Sequence, residues 1–335
     1  MTKLDTVLSD THGRRITYLR ISITDRCNLR CTYCMPKEGS AAWLPHEEIL
    51  SYEEIERLSA AFSDLGVRKI RLTGGEPLAR KGVEGLAGRL AAIPRIEEVC
   101  LTTNGILLED MAQSLFNAGV RHINISLDTL IPERFARITG RDMFNNVWQG
   151  IKRAIETGFT KIKINAVAMK GINDDEIAAL AGLSLNLPLE VRFIEFMPVG
   201  DATTWSMARH LSCDAIKDMV EASLGSLTPV PHGKNFGPAT IYTIEGAKGT
   251  IGFISPLSRH FCGTCNRVRI TPDGRLRLCL FSDNEIDLKK QLRSGASRNE
   301  LAGFLRQAVA QKPLGLVSLK NETPHCARAM SKIGG

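Results

Sequence analysis

Thr17–Pro36 reads TYLRISITDRCNLRCTYCMP, a β-rich run followed at once by a cysteine loop. Residues 17–23 carry the β-branched and aromatic side chains that suit a strand. The loop then spaces Cys27, Cys31 and Cys34 as C-x3-C-x2-C, with Tyr33 just before the third thiol. Three thiolates in one short loop can wrap a metal centre, but they leave a tetrahedral or cubane site one ligand short. A closed structural site takes four protein ligands, so the gap points to an iron that binds a small molecule and hands it an electron. Structural zinc with a distant fourth ligand is the alternative, although paired C-x2-C knuckles are its usual form.

Outward from that loop the chain alternates. Ser51 with Glu54 forms a capping box that starts a helix through about Leu65, and Gly66 ends it before the β-rich run Val67–Thr73. The junctions LGVRKI (65–70), AGVRHI (118–123) and TGFTKI (157–162) each place glycine at a helix end before a strand. Strands are expected near 17–23, 67–73, 98–103, 121–127, 161–169 and 189–197. Helices fill the gaps near 51–65, 81–92, 109–118, 132–138, 143–157 and 174–182, with Pro132 at a first helical position and Asn173 with Glu176 as a capped start. Such alternation implies a parallel sheet with right-handed crossovers. Six units are too few for a closed eight-stranded barrel. The expected fold is therefore α/β, an incomplete (βα)6 TIM-type barrel, with a doubly wound sheet as second choice. Polar and glycine residues gather at the C-terminal strand ends: Gly74-Gly75-Glu76-Pro77, Thr102-Thr103-Asn104-Gly105, Ser126-Leu127-Asp128, Asn165 and Met197-Pro198-Val199-Gly200. Parallel α/β architectures place their sites there.

After Thr228 the alternation stops and short β runs separated by Gly/Pro turns take over, ahead of a helix near 297–311. Two domains are expected, 11–230 as the barrel and 231–335 as a smaller α+β domain. The second region holds FCGTCNRVRITPDGRLRLCLF, with Cys262, Cys265 and Cys279. A hairpin about Pro272-Asp273-Gly274 returns Cys279 toward Cys265, so three thiols converge again. His260 could complete a Cys3His zinc site; without it this centre also has an open position. Arg267 and Arg269 alternate on the hairpin and share one face. Two guanidinium forks beside a metal centre suit a polyphosphate. Arg20 and Arg71 fall at buried strand positions, which argues for an anionic ligand or a carboxylate partner.

The 335 residues are 43% hydrophobic and 24% charged, ordinary for a globular protein. The net charge of +7 fits an anionic partner, but the basic residues are scattered, with no stacked aromatic stripe of the kind that binds nucleic acid. No apolar run of about 18 residues occurs, and MTKLDTVLSD lacks a signal-peptide core, so a cytoplasmic protein without membrane or nucleic-acid partners is expected. There, the nine cysteines read as metal ligands or spare thiols. Cys100, Cys213 and Cys326 have no spacing partners and are expected to be ordinary thiols.

The cysteine loop resembles the signature of the radical S-adenosylmethionine (SAM) superfamily. In that superfamily three cysteines hold a 4Fe–4S cluster whose fourth iron chelates SAM. Gly74-Gly75-Glu76 resembles its GGE motif. Taken with Cys262, Cys265, Cys279 and the R-x-R of 267–269, nearly the whole chain resembles the GTP 3′,8-cyclase family. That resemblance implies two 4Fe–4S clusters, on Cys27, Cys31 and Cys34 and on Cys262, Cys265 and Cys279. It implies SAM contacts from Tyr33, Gly75, Glu76, Ser126 and Met197, and GTP contacts from Arg20, Arg71, Thr102, Lys163, Arg267, Val268 and Arg269. Catalytic parts are implied for Arg267, Arg269 and the terminal Gly334 and Gly335, whose tail would enter the pocket. A low-potential flavodoxin- or ferredoxin-type electron donor is implied as partner, with the chain a monomer or homodimer. The stretch Asn321–Met330 with Cys326 departs from the family's spacing. Two other classes compete: a radical SAM peptide-modifying enzyme with an auxiliary-cluster domain, and a zinc-bearing nucleic-acid binder.

Overall fold

A computed structural model describes residues 7–35, 43–200, 204–231, 237–315 and 326–334. The alternating part runs β1 (Tyr18–Ser22), α1 (Tyr52–Asp64), β2 (Lys69–Thr73), α2 (Val83–Ala91), β3 (Glu98–Thr103) and α3 (Leu108–Asn117). It continues through β4 (His122–Ser126), α4 (Pro132–Thr139), α5 (Phe144–Thr157), β5 (Lys161–Ala168), α6 (Ile177–Asn186) and β6 (Leu189–Glu195). These spans agree with the expected elements. The Ser51–Glu54 capping box forms as expected, with the Glu54 amide donating to Ser51 Oγ at 3.2 Å and the Ser51 amide to Glu54 Oε2 at 2.8 Å. Gly66, Gly119 and Gly158, at the three repeated junctions, all take positive φ (99°, 93° and 86°), where other residues are strained.

One expected start differs. Asn173 makes no side-chain cap. Its amide instead donates to the carbonyls of Asp128 (2.7 Å) and Val167 (2.9 Å), tying the end of β4 to that of β5. Glu176 is buried and accepts from the Leu130 amide at 2.7 Å. A local pattern that resembles a cap is thus used to pin two strand ends together.

β1 to β6 pair in sequence order, all parallel. On one face lie Leu19, Ile21, Ile70, Leu72, Leu101, Ile123, Ile125 and Ile164, buried against the helices as the main core. Side chains alternate along a strand, so the other face carries Arg20, Arg71, Thr102, Asn124 and Lys163. A complete barrel fills its interior with branched apolar layers. Here that interior is polar, which leaves a lined cavity instead of a core.

The stretch after α7 (Cys213–Leu224) adds β7 (Thr228–Pro229), β8 (Thr240–Thr243), β9 (Thr250–Ile254), β10 (Arg267–Ile270), β11 (Arg275–Arg277), β12 (Glu285–Asp287), α8 (Leu288–Arg293) and α9 (Arg298–Ala310). Expected as a domain of its own, it is joined to the barrel through the sheet. β9 pairs in parallel with β6 and β10 in parallel with β1, so one 12-stranded sheet runs β12-β11-β10-β1 through β6 to β9-β8-β7. The register sets Arg269 beside Arg20 and Arg20 beside Arg71. This pairing carries the second cysteine group and its arginines to the open side of the barrel.

Candidate active site

The loop after β1 is held by β2's end. The Gly75 amide donates to the Thr24 carbonyl and the Glu76 amide to the Arg26 carbonyl, each at 2.7 Å. A Cβ on Gly74 would lie 2.7 Å from Thr24 O, and one on Gly75 would lie 2.3 Å from Arg26 O. Both glycines are therefore demanded by the close approach of the cysteine loop itself. Replacing Gly75 by Ala is expected to push that loop away. Urea unfolding should show a loss of about 1–3 kcal/mol, and iron retained at the first triad should fall with it.

Cys27 receives the Leu29 amide at 3.4 Å, and Cys31 O accepts the amides of Cys34 and Met35 at 3.0 Å. Burial pushes the thiols up, Cys27 to about 11 with Glu76 adding to it, Cys34 to about 12 with Cys27 adding to it, and Cys31 well up with Cys34, Asp128 and Cys27 adding to it. Thiolates close enough to repel one another in a buried loop need a cation to ionise, as an iron centre provides. Among the described residues none of these cysteines belongs to a trio of ligand atoms within 4.8 Å. Tetrahedral zinc with Zn–S near ~2.3 Å needs sulfurs about 3.8 Å apart. Wider spacing fits a cubane, whose ligands sit on different irons.

Around the same rim Tyr33 donates to Asp128 Oδ2 at 2.6 Å, and the Val167 amide donates to Asp128 Oδ1 at 2.8 Å. The Tyr33 ring meets Phe196 edge-on with centroids 6.2 Å apart. Asp128, absent from the sequence-based site, is what orients Tyr33. Burial lifts its carboxyl to about 6 against those two hydrogen bonds. A carboxyl raised above its unfolded value near ~4 favours the folded state when protonated; that contribution is lost as pH rises through about 6. Accordingly, the thermal midpoint of Asp128→Asn should gain on that of the unaltered chain between pH ~4 and ~6 and run parallel to it above that; a parallel pair of curves throughout would refute the assignment.

Glu76 is 1% exposed and accepts from the Leu78 amide (2.9 Å), the Thr103 hydroxyl (2.7 Å) and the Asn104 amide (2.7 Å). Expected as a cofactor contact, its carboxylate is a strut between the ends of β2 and β3. Asn104 then reaches back to the loop, donating to Asn28 Oδ1 at 2.7 Å and facing Cys27 Sγ at 3.8 Å.

Below the rim the cavity, about 360 Å³, is walled by cations. Arg20, Arg71, Lys163, Arg267 and Arg269 were expected; Lys69, Arg192, Lys312 and Arg14 join them. Arg71 is 4% exposed and donates to the Tyr18 hydroxyl and, at 2.9 Å, to the Leu101 carbonyl. These hydrogen-bond partners are neutral, while the Glu98 carboxylate nearby adds to the stabilisation of its charge. Burial, then Arg269, holds Arg20 well below its ordinary value. Burial, then Arg192, brings the Lys163 ammonium down to about 7 although Glu190 opposes the shift. Burial followed by Arg267 lowers Arg269 to about 10. Cations that depress one another in a desolvated pocket are stabilised by a polyanion placed among them.

The second triad sits where β10 enters. Burial would raise the Cys265 thiol, but Arg267 and Lys312 outweigh it and bring it to about 7. Lys312 Nζ donates to the carbonyls of Arg267 (2.9 Å) and Leu278, and Arg14 Nη1 to the carbonyl of Cys262 (2.9 Å). Cys262, Cys265 and Cys279 all line the same cavity as Cys27, Cys31 and Cys34. His260 is exposed, and its ring contacts the Pro256 carbonyl at 2.9 Å outside the cavity wall, so it does not complete a Cys3His site. Val268 also departs from expectation, for its side chain is 1% exposed in the core behind the sheet. Only its backbone can face the cavity.

The tail returns to this mouth. Val199 bridges Cys326, and the Gly200 amide donates to the Cys326 carbonyl at 2.6 Å. Arg328 forks between Glu285 and Asp273, 2.6 Å to each. Arg269 Nη1 donates to the Gly334 carbonyl at 2.6 Å, and a Cβ on Gly334 would lie 2.7 Å from Thr73 Cγ2. Of the described tail Met330 lines the cavity, while Gly334 reaches Arg269 without lining it, and Gly335 lies outside the described residues. Cys326, 0% exposed against Arg277, is a tail anchor, and Cys100 and Cys213 are buried too.

Tyr33, Gly75, Ser126, Met197 and Thr102 complete the expected residues that line this one cavity. Lys69 and Arg192 were missed. Their signal is the alternation applied to the R-x-R pair, since Lys69 precedes Arg71 and Glu190 precedes Arg192 by two positions.

Residues 21–183 match the sequence model of the radical SAM superfamily, and residues 189–316 match that of Molybdenum Cofactor Synthesis C. The GTP 3′,8-cyclase of Pelotomaculum thermopropionicum is 48% identical over 328 residues, covering 98% of this chain and all (100%) of the relative. That of Thermodesulfovibrio yellowstonii is 49% identical over 328 residues, again 98% of this chain and 100% of the relative. Streptococcus suis SuiB bound to S-adenosylmethionine superposes with a TM-score of 0.62 at 15% identity, covering 96% of this chain and 78% of that one. The last comparison shows the fold alone.

Proposed function

The chain belongs to the GTP 3′,8-cyclase family, and from that premise we propose how its residues divide the reaction. The enzyme is a radical SAM lyase with two 4Fe–4S clusters. It converts GTP to (8S)-3′,8-cyclo-7,8-dihydroguanosine 5′-triphosphate, the first step of molybdenum cofactor biosynthesis. One observation carries the division of labour: two incomplete cysteine triads and a belt of buried and half-buried cations face a single cavity.

Cys27, Cys31 and Cys34 would hold the first cluster, and Cys262, Cys265 and Cys279 the second. With a reductant, a cluster held there and bound SAM would supply the radical chemistry that removes the ribose 3′ hydrogen. Carbon C3′ then bonds to guanine C8, and one electron and one proton complete the product. Tyr33, Gly75, Ser126 and Met197 shape the rim for SAM, with Asp128 fixing Tyr33 and Glu76 fixing the loop ends. Arg20, Arg71, Thr102, Lys163, Arg267 and Arg269, with Lys69 and Arg192, receive the triphosphate. Binding energy from phosphates remote from C3′ serves to orient the ribose. Division of the chain into 11–230 and 231–335 follows these roles, barrel for SAM and remainder for the guanine end.

Among the described residues no helix is long and apolar enough to cross a membrane. A flavodoxin- or ferredoxin-type donor in the cytoplasm, serving a monomer or homodimer, completes the reading. The test is SAM turnover with dithionite: 5′-deoxyadenosine should appear with GTP and not with ATP. Equal stimulation by ATP would remove the guanine end from the account.

A further inference from the structure

Away from the two triads, Glu98, Cys100 and His122 bring one ligand atom each within 4.8 Å of one another. Glu98 opens β3, Cys100 follows two residues on along the same face, and His122 opens β4 directly across from Cys100. The group therefore sits where the parallel strands begin, at the opposite end of β3 from Thr103 and Asn104. We propose that these three residues form a binding site for a divalent transition-metal ion of the zinc class, separate from both iron–sulfur sites.

The donor set is the first reason. Thiolate, imidazole and carboxylate together are the ligands zinc takes, and three of them leave a fourth position for water. Convergence is the second. Glu98 Oε1 alone receives Lys69 Nζ at 2.6 Å, Cys100 Sγ at 2.6 Å and His122 Nδ1. A Lys69–Glu98 ion pair requires neither the thiol nor the imidazole, yet both turn to the same oxygen. Access is the third. Cys100 is 0% exposed, whereas the side chains of Glu98 and His122 are 24% and 20% exposed. An ion can reach the site from solvent and bind a thiolate that water does not cover.

Charge balances on loading. The Cys100 thiol gives its proton to solvent, and the imidazole proton that faces Glu98 moves to Nε2, which frees Nδ1. One carboxylate and one thiolate then offset the two charges of the ion, and the Lys69 ammonium gives up the Glu98 oxygen and keeps its charge toward the cavity. None of the three residues is assigned to cluster, SAM or GTP binding, but Glu98 holds Lys69 of the cation belt, so zinc content and its ligands, not cyclase turnover, are the readout.

The experiment uses the holoenzyme with both clusters assembled, equilibrated with zinc and washed with a weak chelator. Zinc is counted by mass spectrometry and its ligands are read by X-ray absorption at the zinc edge. The expected result is about one zinc per chain, with a single sulfur near ~2.3 Å and nitrogen or oxygen near ~2.0–2.1 Å. Cys100→Ala and His122→Ala should each weaken binding by more than about 10-fold. His122 is partly exposed, so its variant keeps the test valid even where the buried Cys100 change impairs folding. No retained zinc, zinc with three sulfurs, or equal retention in both variants would overturn the proposal.

Discussion

Cys262→Ala enzyme, reconstituted anaerobically, is expected to bind about four iron and four sulfide where the unaltered chain binds about eight of each. It should still cleave SAM with dithionite and make no cyclic product. Cys27→Ala should also bind about four, but SAM cleavage should fall below detection. The asymmetry follows from the loops. Cys27, Cys31 and Cys34 belong to one turn locked against Gly75 and Glu76, whereas Cys262, Cys265 and Cys279 are carried by the β10–β11 hairpin and by Arg14 and Lys312. Loss of one triad leaves the other's supports in place. Loss of both clusters from either variant would show that the two sites fold as a unit, contrary to this account.

Arg269→Ala should weaken GTP binding by roughly 100-fold, since removing one charge from a buried, hydrogen-bonded set costs about 2–5 kcal/mol. Arg269 is half-buried beside Arg20, within the cation belt, and also holds the Gly334 carbonyl at 2.6 Å. Its loss therefore removes a phosphate fork and releases the tail together. Arg328→Ala separates the two effects, because Arg328 grips Glu285 and Asp273 and does not line the cavity. That variant should keep GTP affinity within a factor of about 3 and lower turnover by about 10-fold. Arg269→Lys should recover only part of the affinity, since an ammonium keeps the charge and not the planar fork. Isothermal titration for affinity and product formation for turnover distinguish these outcomes.

Much of this was legible because local chemistry and global fold agree. Glycines 66, 119 and 158 mark strand–helix units whose only compact solution is a parallel sheet, and the cysteine spacing names its own chemistry. What was not legible is pairing at a distance. Residues 240–254 and 267–277 show strand character but nothing that tells which edge each joins, since a period of two is blind to its partner. Only the β1–β10 register reveals that Arg269, Arg20 and Arg71 form one row. Gly74 and Gly75 were noted for their likeness to the GGE motif, and the space beside them is filled by Thr24–Arg26. Asn173 was read as a cap because a cap and a strand-end tie ask for the same short amide side chain. Cys100 has no spacing partner in the chain, and it meets His122 only through the β3–β4 register.

The central claim is that one cavity holds GTP with its ribose C3′ open to the radical generated at the first triad. Incubation with SAM, dithionite and GTP deuterated only at C3′ tests it most directly. The recovered 5′-deoxyadenosine should be heavier by one deuterium, in step with cyclic product. Unlabelled 5′-deoxyadenosine formed alongside product would contradict the account.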